Sequence, residues 1–145
     1  MTAHRWRAAE AAMALVCARV LLRAVPFRWV ARIAGAVSNG PAPDRTSRPA
    51  SDPAAAAIGR AVAGAARRLP WRSTCLDRAL AGRLLLARRG IPSTLVLGVA
   101  KDQDLVHAHA WLVAGGGTVS GRRQAAHFNP IAAFRTPGRG PSVDR

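Results

Sequence analysis

A chain of 145 residues has room for one domain whose core can stand without staples. Half of the residues are apolar, which excludes intrinsic disorder, and the only cysteines, Cys17 and Cys75, exclude a disulfide framework. All the basic residues but Lys101 are arginines, and the formal charge of +15 favours an acidic partner without choosing one.

Trp6 to Val25 reads as a helix, with Leu15, Val16, Leu22 and Val25 at helical spacing. Cys17 lies between Val16 and Ala18 and is expected to pack in the core. Arg19, Arg23, Arg28 and Arg32 interrupt the apolar stretch from Ala8 to Val37. That excludes a spanning helix, which needs about 20 largely uncharged residues, and it spoils a signal peptide. A cytoplasmic protein is expected. After Pro26 a second helical piece is expected from Arg28 to Val37. The Pro-, Ser- and Gly-rich stretch from Ser38 reads as a linker. Asp52 as N-cap and Pro53 at the first helical position open the next helix, with Ile58, Val62, Ala65 and Leu69 as its apolar stripe. The expected organisation is a helical segment over 1–37, a linker over 38–52, a core over 53–135 and a disordered tail over 136–145, one domain in all.

Within the core, Ser73 or Thr74 can cap a helix that turns Leu76, Leu80, Leu84 and Leu85 inward. Arg88 and Arg89 suit its last turn, Gly90 supplies a left-handed stop and Pro92 prevents continuation. Thr94–Ala100 and Leu105–Val113 read as an antiparallel hairpin, and Thr118–Ser120 as a short third strand after a glycine turn. Beyond Gly121 the chain is expected to be irregular, anchored by Phe128, Ile131 and Phe134.

Cys75 falls in the first turn of its helix, where unpaired N–H groups and the helix dipole lower a thiol's pKa and can hold an oxyanion. Arg72 and Arg78 add positive charge nearby. A thiolate needs a base, and His107 and His109 share one strand face with Trp111. A cysteine at a helix start followed by a histidine on an antiparallel strand is the order found in papain-like and transglutaminase-like sites.

The run STCLDRALAGRLLLARRGIP, then LVLGVAKD, then AHAWLV resembles the leader peptidase of lasso-peptide biosynthesis, a transglutaminase-like family related to the microcin-processing protein. LLRAVPFRW, RAVAGAARRLP and FNPIAAF extend the resemblance over roughly residues 8 to 135. It implies an α+β fold: a papain-like or transglutaminase-like cysteine peptidase core, with N-terminal helices and the nucleophile helix packed on a small antiparallel sheet. The nucleophile then falls on Cys75 and the general base on His109, with His107 outside the matched block. The family's third residue, an aspartate, aligns with Gly121. Gln124 or Asn129 is a candidate to orient the imidazole instead, as are a backbone carbonyl or water. Trp71 is expected either to line the peptide groove or to pack in the core. Trp111 is expected either to shield the imidazole or to fill the sheet–helix interface. The resemblance is to the stand-alone peptidase form. It implies three partners: the leader of a lasso precursor, a separate leader-recognition protein and an ATP-dependent macrocyclase. No cofactor is implied. Arg19, Arg23 and Arg28 are expected to steer an acidic partner or leader.

Two rivals stand beside this reading. Cys75, His107, His109 and His127 could form a metal cluster, but no established ligand spacing is present, so no metal is expected. A non-catalytic basic protein binding nucleic acid or an acidic peptide is the alternative function. The arginines are spread over every expected helix rather than gathered in one stripe, which argues against specific nucleic-acid recognition.

Overall fold

The computed structural model describes residues 2–26, 28–29, 36–37, 50–121 and 127–135. Most of the expected linker, the expected tail and Gln124 lie outside these residues. Three helices are described: α1 (Thr2–Ala24), α2 (Pro53–Arg68) and α3 (Cys75–Arg88). The strands are β1 (Ala36–Val37), β2 (Thr94–Asp102), β3 (Leu105–Ala114), β4 (Gly117–Ser120) and β5 (Asn129–Arg135). They form one antiparallel sheet in the order β1-β5-β2-β3-β4. Among the described residues no helix is long and apolar enough to cross a membrane.

Each helix begins where local chemistry allows. The Asp52 carboxylate accepts from the Ala54 N–H at 3.2 Å, and Pro53 gives up an N–H that would have no helical partner. On α2, Ile58, Val62 and Ala65 are buried and Leu69 is partly so, as the apolar stripe predicts. On α1 Leu15 is buried, and Leu22 and, just beyond the helix, Val25 pack against the core as expected, but Ala11, Ala14 and Ala18 complete the face instead of Val16, which is 37% exposed, and Cys17 is exposed. The face that packs is made of small residues, so α1 lies close to α2 and α3. Hydrophobicity alone pointed to the bulkier neighbours. The lone glutamate ties α1 to the end of α3: Glu10 accepts from Arg89 at 2.7 and 3.1 Å, and these bonds hold its carboxyl below the usual range.

The hairpin of β2 and β3 pairs in continuous register from Thr94↔Val113 to Asp102↔Leu105. Alternation then divides the sheet: Ala110 and Leu112 face the helices, while His109 and Trp111 face the other side. Trp111 therefore does not fill the sheet–helix interface. It anchors a second small cluster with Val96 and Ala133, against which Val113 and Phe128 pack.

β5 replaces the irregular segment expected beyond Gly121. It completes β2's second edge, and Phe134 is buried within it. Ile131 is not an anchor: it is 65% exposed. The register jumps from Leu97↔Ala132 to Gly98↔Pro130, which leaves Ile131 as the extra residue of a bulge. Ala36 and Val37 pair with Arg135 and Phe134, so the helical piece expected to reach Val37 ends before Ala36. A short isolated helix gains little, while the open edge of β5 offers backbone partners. Arg83 is buried between α3 and this part of the sheet and donates to the Phe134 carbonyl at 2.6 Å. Burial lowers its pKa to about 10.

Candidate active site

The loop before α3 is fixed from both sides. Thr74 is the N-cap: its hydroxyl accepts from the Asp77 N–H at 3.1 Å, and the Asp77 carboxylate accepts from the Thr74 N–H at 2.9 Å. Of the two expected caps, Thr74 is therefore the one used. Asp77 is buried and also meets Arg19 of α1 at 3.4 Å. Arg19 donates to the Arg72 carbonyl at 3.2 Å and lies over the Trp71 ring, 5.5 Å from its centroid. Arg19 is thus engaged inside the fold and is not a free steering charge. Arg23 and Arg28 are exposed.

This capping leaves the N–H groups of Cys75 and Leu76 without helical partners at the start of α3. The thiol reaches His109 at an opening in the sheet edge. β4 ends at Ser120, opposite Leu112, so β4 leaves the edge of β3 unpaired from Leu105 to Ala110. There Cys75 and His109 line one cavity, and the thiol is influenced first by hydrogen bonding to His109 and then by the backbone of Ala110 and of Leu76. Cys75 therefore meets His109 around an edge, not through a helix laid on the histidine face.

The Cys75 thiol is held below its ordinary pKa by the hydrogen bond from His109, against the upward push of burial, with further help from the two backbone N–H groups. The main contributions do not include Arg72 or Arg78, contrary to expectation. His109 is raised, first by its bond to Cys75, against burial, and then by the Gly121 carbonyl. Both shifts favour a thiolate–imidazolium pair.

His109 is 6% exposed, with Trp111 stacked on one side at 6.1 Å and Phe128 on another at 5.1 Å. Its Nε2 lies 3.1 Å from the Gly121 carbonyl. A carbonyl only accepts, so Nε2 carries a proton and Nδ1 is the nitrogen left for the thiol. A cavity of about 350 Å³ opens on this pair, lined also by Gly59 and Val62 of α2 and by Ser120. Gly59 is required there. A Cβ on it would lie 2.5 Å from the Val119 carbonyl oxygen, so α2 can approach β4 only without a side chain.

A family model described as the transglutaminase-like superfamily matches residues 20–133. The chain belongs to the transglutaminase-like superfamily. No curated protein and no solved structure matches it. The fold agrees with that membership, being α+β with a helix that starts at a cysteine and an antiparallel sheet that carries a histidine.

Against this superfamily background, the remaining expected site residues separate. Asn129 is not brought to the imidazole: it lies exposed on β5, with β2 between it and β3, and His109 has its ring nitrogens engaged by Cys75 and Gly121. The Gly121 carbonyl, named in sequence only as a generic possibility, occupies the orienting position. No side-chain search finds it, because the group is backbone. His107 and His127 are exposed, and neither lines the cavity. Among the described residues no group of three or more His, Cys, Asp or Glu could hold a metal.

Proposed function

We propose that this protein is a cysteine peptidase that removes the leader from a ribosomally made lasso-peptide precursor. The observation that carries the thiol chemistry is Cys75, at the N-terminus of α3, hydrogen-bonded to an imidazole whose other nitrogen is held by Gly121. Superfamily membership supports the same chemistry, and the TCL and AHAW blocks support the lasso assignment.

In this reading His109 takes the Cys75 proton at Nδ1 and the thiolate attacks the carbonyl at the leader–core junction. The N–H groups at the start of α3 hold the oxyanion. The imidazolium returns its proton to the departing amine, and the leader remains as a thioester on Cys75. Water, deprotonated by His109, then releases it. Trp111 and Phe128 keep solvent off the ring. The freed α-amine of the core is the nucleophile that an ATP-dependent macrocyclase joins to an acidic side chain. A separate leader-binding protein presents the precursor and raises the local concentration of the scissile bond, to the millimolar range for a short tether.

Mass spectrometry of a precursor peptide incubated with this protein tests the reading. One cut between leader and core is expected, accelerated when the leader-binding protein is added. An intact precursor in the presence of that partner would end the lasso assignment.

A further inference from the structure

Next to the Cys75 cavity lies a larger cleft of about 650 Å³, formed by the end of α2, the loop Leu69–Thr74 and the start of α3. Ser73 and Arg78 line both, so the cleft continues directly from the thiol. Its charged groups all have one sign. Arg67, Arg72 and Arg78 are exposed in it, and no carboxylate lines either space. Asp77, the nearest acid in sequence, is buried and taken up by Thr74 and Arg19.

Arg78 adds a further observation. A cation in the first turn of a helix opposes the helix dipole, so helix stability does not explain its place.

We infer that this cleft is a substrate subsite that binds a carboxylate of the peptide being cleaved. Arg67, Arg72 and Arg78 supply the charge and the forked donors. The inference rests on Cys75 being the reactive thiol. It adds a specificity that the mechanism does not require: an acidic group beside the scissile bond.

Three small alkylating probes test it without knowledge of the precursor: the chloroacetyl amides of glutamic acid amide, glutamine amide and glutamine with a free α-carboxylate. Each transfers its acyl-methylene group to a thiol with loss of chloride, and mass spectrometry reads Cys75 and Cys17 separately. Cys17, exposed on α1, reports the effect of the overall charge of +15. At Cys75 one of the anionic probes is expected to react about tenfold faster than the neutral one, a difference of about 1.4 kcal/mol, after division by the same ratio at Cys17. Which anionic probe wins tells whether a side chain or a chain terminus is held. The preference should collapse in the Arg67→Gln/Arg72→Gln/Arg78→Gln protein and persist in an Arg23→Gln/Arg135→Gln control. Equal rates for all three probes at Cys75 of the unaltered protein would overturn the subsite. Precursor cleavage together with equal probe rates would leave the peptidase reading standing. A carboxylate preference without any cleavage would remove the peptidase reading and keep the cleft.

Discussion

Replacing Cys75 with alanine is expected to abolish peptide hydrolysis, with a fall in kcat of roughly 10⁴-fold or more. The substitution removes the atom that bonds to the substrate carbonyl, and His109 alone has no comparable nucleophile to activate. Stability should change by less than about 1 kcal/mol, since Cys75 is only partly buried and alanine keeps the helix start. Cys17→Ala serves as the comparison, because that thiol lies exposed on α1, away from His109. Purified Cys75→Ala protein that hydrolyses within tenfold of the unaltered protein would place the chemistry elsewhere.

The second large effect concerns Gly121, which stands where the resemblance puts an aspartate. Restoring that carboxylate as Gly121→Asp is expected to impair the enzyme. Gly121 has φ +80°, a region that L side chains rarely adopt. A Cβ there would lie 2.8 Å from the Ala110 carbonyl oxygen, 2.9 Å from the Trp111 Cβ and 3.0 Å from the His109 Nε2. The strain amounts to about 1–3 kcal/mol, and relieving it moves the carbonyl that orients the imidazole. Thermal unfolding should therefore shift down and kcat should fall together. Gly121→Ala isolates the steric part and should lose stability similarly. A Gly121→Asp protein with unchanged stability and higher kcat would mean that the glycine marks a lost carboxylate rather than a working carbonyl.

What the sequence announced and what it hid divide along physical lines. A cap at Ser73 or Thr74 was readable from the residues before α3, and Gly90 with Pro92 marks its end, where Gly90 has φ +70°. Local signals of this kind need no tertiary context. The pairing of β2 with β3 also follows from a short turn between two apolar runs. β5 escaped because Asn129-Pro130 and Ala132-Ala133 are poor strand formers, and its partners are distant in sequence: β2, some 30 residues earlier, and the short β1. On α1 the packing face is mostly alanine, so its contrast with the exposed Val16 and Val20 is too weak to read. At the site, Cys75 and His109 were legible because their chemistry is in their side chains. The orienting group was not, because it is a backbone carbonyl placed by a glycine turn. Arg19 looked like surface charge; only the fold shows that it braces the loop carrying Cys75.

The pH dependence of Cys75 alkylation by iodoacetamide, with and without His109, tests most directly whether the two form a catalytic pair. The raised imidazole and the lowered thiol bring the two titrations together, which enlarges the share of the thiolate–imidazolium form. Alkylation should therefore titrate with an inflection below the ordinary thiol range. In His109→Ala the main lowering influence is gone and burial remains, so the inflection should move up to the ordinary range or above it. An inflection at the ordinary thiol value in both proteins would contradict the pairing of Cys75 with His109.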